Sequence, residues 1–236
     1  MPKIACIIPY SRKGWRKTQE AAFFSHTFEP LGLVEPPGIT CSYSINLLTC
    51  GIPRVPRLSD GEVRVHSVGF NNEAKAIRLF LDSKQAKEAD YFMYVWLGAR
   101  PVNDILPLLL PELETKTFAY GRMLAYTDEY SHGKPLVDEN IYEPADPSTG
   151  FEHRFCTRCP VPPVFLCRRE FLESIDPELP GSYILDAALK AQDSVCIDNV
   201  TGTSKYRLLD FGHPMSGDEG VRLSTRWGVL SPKSEF

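Results

Sequence analysis

The sequence predicts an α/β protein: one sheet, mainly parallel at the start and mixed later, with flanking helices. Three observations carry this. Short, nearly continuous apolar runs such as "KIACIIPYS" and "DYFMYVWL" recur, as strands buried on both faces require. Segments with helical periodicity stand between them, "NNEAKAIRLFLDSKQAKEA" and "SYILDAALKAQDS" among others. A chain of 236 residues at 43% hydrophobic content buries a sizeable core and suits one large domain.

In chain order, "KIACIIPYS" is a central parallel strand stopped by Pro9, feeding a loop at its C-terminal end. "RKGWRKTQEAAFFSHTF" then mixes basic residues with a helical stretch. From Glu35 to Arg57 the chain is rich in Pro, Gly, Ser and Thr, with "ITCSYSINLLTC" a candidate strand inside it. "VRVHSVGF" alternates as a strand does. The helix after it opens at Asn71 or Asn72 as N-cap, with Glu73 in the first turn, where negative charge is favoured.

"DYFMYVWL" is the next strand and "VNDILPLLLPEL" a helix interrupted by Pro107; "KTFAYGRMLAYT" is a further strand. Asp128 to Gly150 reads as a long polar loop, of a length that suits a functional role. "PPVFLCRREFLESI" passes from a short strand into a helix, "SYILDAALKAQDS" is a helix, and "VCIDNV" and "YRLLDFGH" are late strands. The tail "SPKSEF" frays, and no internal repeat is present.

Charge and composition exclude several classes. The formal net charge of −4 argues against a general nucleic-acid binder, although the basic "SRKGWRK" leaves a local groove open. No apolar run approaches the roughly 20 residues that span a bilayer, and "MPKIACIIPYS" is too short for an export signal, so a cytoplasmic location is expected. Seven cysteines in that compartment are expected to be reduced. His153, Cys156, Cys159 and Cys167 have the ligand types of a zinc site but lack the usual second close pair; a structural zinc and ordinary loop or core cysteines are both open readings. Asp210-Phe211-Gly212 lacks the motifs that accompany it in kinases, and there is no P-loop, dinucleotide fingerprint or nucleophile elbow.

Four pieces in order resemble the GT-A nucleotide-sugar glycosyltransferases, especially the family 2-like inverting enzymes. "IACIIPYSR" is similar to the family's opening strand and loop. "FNNEAKAIRLFLDSKQAKEADYFMYVWLGARP" is similar to the helix and strand that lead to its Asp-x-Asp motif. "VFLCRREFLESIDPELPGSYILDAALKAQDSVCID" is similar to its acceptor-side segment, and "RLLDFGHPMSG" to the late strand that brings a His to the diphosphate. The resemblance implies a single GT-A-like domain over residues 1–236, with a nucleotide-binding half over about 1–104 and an acceptor-side half over about 105–230.

It also implies a partner and a site: a nucleoside-diphosphate sugar, with an acceptor hydroxyl on a glycan, small molecule or nucleic acid. Pro9, Tyr10, Ser11 and Arg12 would hold the nucleotide at the strand ends, where open parallel sheets bind ligands. Asp60 would contact base or ribose unless it belongs to a plain Asp-Gly turn, and Trp96 stands at the mouth of a strand. His213 would approach the phosphates. Asp186 would be the general base, standing alone where the family has a Glu-Asp pair, here Leu185-Asp186.

The departure from the family lies in "ADYFMYVWLGARP". Trp96 and Gly98 stand where the aspartates that hold Mn²⁺ or Mg²⁺ belong, so the usual ligands of a divalent cation are absent, with Asp104 and Asp128 as conceivable substitutes. Three explanations stand: Arg100, Lys75 or Arg78 neutralises the diphosphate in place of a metal; the domain binds without catalysing; or the register of the alignment is shifted.

Overall fold

β-Branched and apolar residues build the first strand, β1 (Lys3–Ser11), whose side chains are buried from Ile4 onward. It pairs in parallel with β2 (Ser42–Cys50) on one side and with β4 (Tyr91–Val95) on the other, while β3 (Val63–Val68) adds in parallel to β2. The computed structural model describes residues 2–11, 27, 41–51, 63–69, 72–102, 104–126, 136–139, 164–179, 183–191, 193–204, 222 and 225–226.

Beyond β4 the sheet becomes mixed. β8 (Val164–Cys167) runs antiparallel between β4 and β6 (Phe118–Tyr126); β9 (Ser194–Ser204) is parallel to β6. The short β5 (Ala99–Pro101) is antiparallel to β9, and β7 (Leu136–Glu139) to β6. The order across the sheet is β3-β2-β1-β4-β8-β6-β9-β5, so the expectation of a parallel start and a mixed continuation holds. β9 bulges against β6 between Gly121 and Met123. There β9 lies so close that a Cβ on Gly121 would come within 2.5 Å of the Asn199 carbonyl oxygen, which makes glycine the residue that fits.

Flanking helices cover the sheet. α1 (Glu73–Phe80) buries Glu73, Ala74, Ala76, Ile77 and Phe80, and α2 (Lys84–Glu88) buries Ala86. α3 (Ile105–Leu109), α4 (Arg169–Glu173) and α5 (Tyr183–Ala191) follow. The core is aromatic at its centre: Tyr94 stacks on Phe165 at 4.6 Å and Phe118 on Phe171 at 4.5 Å between ring centroids. Among the described residues no helix is long and apolar enough to cross a membrane.

Four local expectations are corrected. Pro9 does not stop β1, which stays in register with β2 to Ser11↔Cys50; pairing with β4 ends at Ile7↔Tyr94, so a residue without an amide hydrogen is tolerated beyond that point. The single helix expected from Asn72 to Ala89 is two, because the Ser83 side chain accepts the Ala86 N–H and starts a new helix. Pro107 does not interrupt α3: it is the third residue, where the amide has no intrahelical partner to lose, and the chain turns instead at Pro111 into a 3₁₀ turn over Glu112–Glu114. Finally, β7 lies within the segment read as a loop from Asp128 to Gly150; the rest of that segment, and the late strand expected at "YRLLDFGH", fall outside the described residues.

Candidate active site

β1 and β2 end together, with Ser11 beside Cys50, while β4 pairs with β1 only as far as Tyr94 beside Ile7, and α1 begins just after β3 ends. Asn72 caps α1 by accepting the Lys75 N–H at 2.9 Å, and its own amide donates to the Pro177 carbonyl at 3.0 Å. The cap therefore anchors the link between α4 and α5 as well as the start of α1.

This arrangement brings Glu73 under the rim. The Ser11 hydroxyl donates to Glu73 Oε1 at 2.5 Å, and the Tyr183 hydroxyl donates to Oε2 at 2.8 Å. Tyr183 has a single hydroxyl hydrogen, so the 2.8 Å contact with Tyr94 has Tyr94 as the donor. The chain of hydrogen bonds thus joins β1, α1, α5 and β4. Burial, followed by the Glu73 charge, pushes the Tyr183 and Tyr94 hydroxyls well above the usual phenol range. The Cys50 thiol, at the end of β2, is raised by the same two causes in the same order.

Glu73, Tyr94 and Tyr183 were not among the residues expected at the site. One signal was present: Glu73 lies on the stripe formed with Ala76, Ile77 and Phe80, the face on which an amphipathic helix normally carries apolar residues. A carboxylate there has to find partners.

The loop after β4 is held from the other side. Gly98 has φ of 100°, a backbone conformation that side chains disfavour. Its N–H donates to the buried Thr27 hydroxyl at 2.7 Å, and the same hydroxyl donates to the Ala99 carbonyl at 2.9 Å. Trp96, the residue after β4, is half-buried and packs against the core.

Pro9 and Tyr10 are buried within β1, Tyr10 completely, which leaves their backbone and not their side chains for any ligand. Arg100 is exposed on β5, opposite Thr203 of β9. Lys75 and Arg78 lie one turn apart on α1 and reach towards the α4–α5 segment: Lys75 Nζ lies 3.2 Å from Glu178, and Arg78 donates to the Glu173 carbonyl. The structure therefore does not gather Arg100, Lys75 and Arg78 on one contact. A cleft of about 440 Å³ lined by Arg78, Leu81, Asp82 and Arg169 lies at the far end of α1, away from the strand ends. Its arginines are occupied by backbone carbonyls, as Arg169 is by Leu81 and Ala86.

Asp186 is completely buried in the first turns of α5. Lys190 Nζ lies 2.5 Å from its Oδ2, and Arg226 donates to Oδ1 at 2.9 Å and to Asp176 at 3.0 Å. Both oxygens of the expected base thus face cations. Arg12, Asp60 and His213 lie outside the described residues, as do His153, Cys156 and Cys159 of the possible zinc set. Cys167, the remaining member of that set, is a free, fully buried thiol of β8.

A mixed sheet of this order, with strand ends, helix starts and a glycine-bearing loop converging on one rim, defines the GT-A fold of nucleotide-sugar glycosyltransferases. Two solved structures make the likeness concrete. Glucosyl-3-phosphoglycerate synthase from Mycobacterium tuberculosis, in complex with Mn²⁺, UDP and phosphoglyceric acid, matches with a TM-score of 0.57 at 15% identity, covering 97% of this chain and 79% of its own. TarS from S. aureus, in complex with UDP, matches with a TM-score of 0.53 at 11% identity over 86% of this chain; the match spans 60% of the TarS chain. At these identities the likeness establishes the fold. No protein-family model and no curated protein matches the chain.

Among the described residues the side chains do not fit the metal implied by the fold; Asp128 and His213 lie outside them. Trp96 and Gly98 offer no ligand, Asp104 is exposed beyond β5, and among the described residues no three His, Cys, Asp or Glu side chains cluster around a common point.

Proposed function

We propose that this protein transfers a sugar from a nucleoside-diphosphate sugar to an acceptor hydroxyl, by a single inverting displacement and without a resident divalent cation. One observation supports the reading above the others. The loop after β4 turns at Gly98, with φ of 100° and fastened by Thr27, and it carries no carboxylate. The departing diphosphate then needs another counter-charge. Arg100, exposed on the strand that leaves this turn, is the first choice, because Lys75 and Arg78 already have partners on the α4–α5 segment.

In this reading the backbone of Pro9 to Arg12 and the lone pairs of Ser11 meet the nucleotide, Asp60 its base or ribose, and His213 its phosphates. Trp96 offers a partly exposed ring beside the donor. Asp186 takes the acceptor proton in a state in which Arg226 has withdrawn from Oδ1. One GT-A-like domain carries the activity, and the proposed location is the cytoplasm.

A second reading is a binding domain of the same fold that does not catalyse, and the paired state of Asp186 favours it. The two are separated with UDP-, GDP-, CDP- and dTDP-sugars, by measuring binding and hydrolysis with Mn²⁺ and with EDTA. Turnover that EDTA leaves unchanged supports the metal-free transferase. Turnover only with Mn²⁺ removes the metal-free mechanism, and tight binding without turnover supports the binding domain.

A further inference from the structure

We propose that Glu73 is the positioning residue of the donor site: its carboxylate sets the Ser11 hydroxyl and the start of α5 against the strand ends. The inference rests on the reading of this rim as the place where the nucleotide binds.

The argument starts from what a buried carboxylate needs. Glu73 is 3% exposed, at a helix position that an alanine or leucine would fill without any requirement for partners. Instead the chain supplies two hydroxyl donors from elements distant in sequence, 62 and 110 residues away. The Ser11 contact, at 2.5 Å, has the length of an O–H bond to a carboxylate.

The placement has a chemical consequence. Because Ser11 gives its hydroxyl hydrogen to Glu73, its oxygen meets a ligand as an acceptor, with a fixed direction. Tyr183 is held likewise, with its hydrogen on Glu73 and its oxygen accepting from Tyr94. One side chain thus orients the last residue of β1 and the first residue of α5, the helix that carries Asp186 one turn later. Among the described residues no such arrangement supports the opposite strand ends, where Thr117 and Asp193 clip β6 to β9.

The experiment uses the full chain and four probes: UDP, GDP, CDP and dTDP, with Kd measured by calorimetry. Glu73→Gln puts an amide NH₂ against one of the two hydroxyl donors. It is expected to weaken the best-bound diphosphate at least tenfold while the circular dichroism spectrum is retained. Tyr183→Phe, which removes one donor and keeps the carboxylate, is expected to weaken it in the same direction by a smaller factor. Thr117→Val destabilises the far strand ends and serves as the control, with Kd expected within twofold of wild type.

Glu73→Gln and Tyr183→Phe both binding within twofold of wild type would overturn the proposal, as would an equal loss in Thr117→Val. If Glu73→Gln does not fold, Tyr183→Phe decides by the same criterion. A wild-type protein that binds none of the four diphosphates overturns the donor-site reading itself, and this inference with it. Wild-type binding with unaffected variants removes only the role of Glu73.

Discussion

Thr27 and Gly98 form a clamp: the threonine hydroxyl accepts the glycine N–H at 2.7 Å and passes its own hydrogen to the next carbonyl, that of Ala99. The turn after β4 is therefore shaped by a buried hydroxyl from 71 residues earlier in the chain, with no side chain of its own to hold an ion. The first prediction concerns this turn. Gly98→Ala forces a Cβ into a φ of 100° and is expected to destabilise the protein by about 1–3 kcal/mol, measured by urea unfolding. Thr27→Val, which leaves the Gly98 N–H and the Ala99 carbonyl without this partner, is expected to lose about 1–3 kcal/mol as well. An unchanged midpoint in both variants would mean that the clamp is absent in solution.

Asp186 is expected to matter for stability whether or not it is a base. Removing one member of a fully buried ion pair costs about 3–5 kcal/mol, but Lys190 and Arg226 are partly exposed and can regain water, so Asp186→Asn is expected to cost about 2 kcal/mol. Arg226→Ala should cost less, because Asp186 keeps Lys190. If Arg226 also covers the base, Arg226→Ala raises turnover while lowering the melting temperature; a parallel fall in both leaves Asp186 with its structural task alone.

His66 gives the protein a defined acid sensitivity. Its Nε2 lies 3.1 Å from Asn46 Oδ1, its ring meets the edge of Phe80 at 5.0 Å, and burial, then the Arg64 charge, pulls it below the ordinary 6.5. The unfolded chain therefore binds this proton at higher pH than the native state does. The His66 contribution is fully present above about pH 6.5 and is lost as pH falls through the lowered native value. Urea midpoints at pH 8 and pH 5 check this: His66→Gln is expected to reduce the drop between them.

Thiol reactivity should divide the cysteines by depth. Burial raises Cys6 to about 12, against a smaller opposite effect of its hydrogen bond with Tyr43, and it raises Cys50 and Cys167 as well. Among the described cysteines, peptide mapping after alkylation of the native protein at pH 8 is expected to find these three unmodified and the partly exposed Cys41 and Cys196 labelled first. Rapid native labelling of Cys6 would contradict the position of β1 at the centre of the sheet.

The order and type of most elements follow from local signals alone. Continuous apolar runs mark β1, β4 and β8, alternation marks β3, and the apolar stripe of α1 with its Asn72 cap marks a helix start, because each reports burial through a fixed period. That "VWLGARP" after β4 carries no carboxylate is likewise a matter of residue identity alone.

The tertiary structure decided which polar groups meet. Glu73 in the first turn of α1 reads as a favourable charge on a helix dipole; only the packing of β1 and α5 makes it a buried acceptor for Ser11 and Tyr183. Asp186 reads as an acid at a helix start with Lys190 one turn on, and only the position of Arg226 makes it the centre of an ion-pair network. The contacts of Arg226, Ser11 and Tyr183 span separations of 40 to 110 residues, and local propensity carries no information about them. Secondary structure answers to periods of two and 3.6 residues, whereas a site is the product of where the whole sheet places its strand ends.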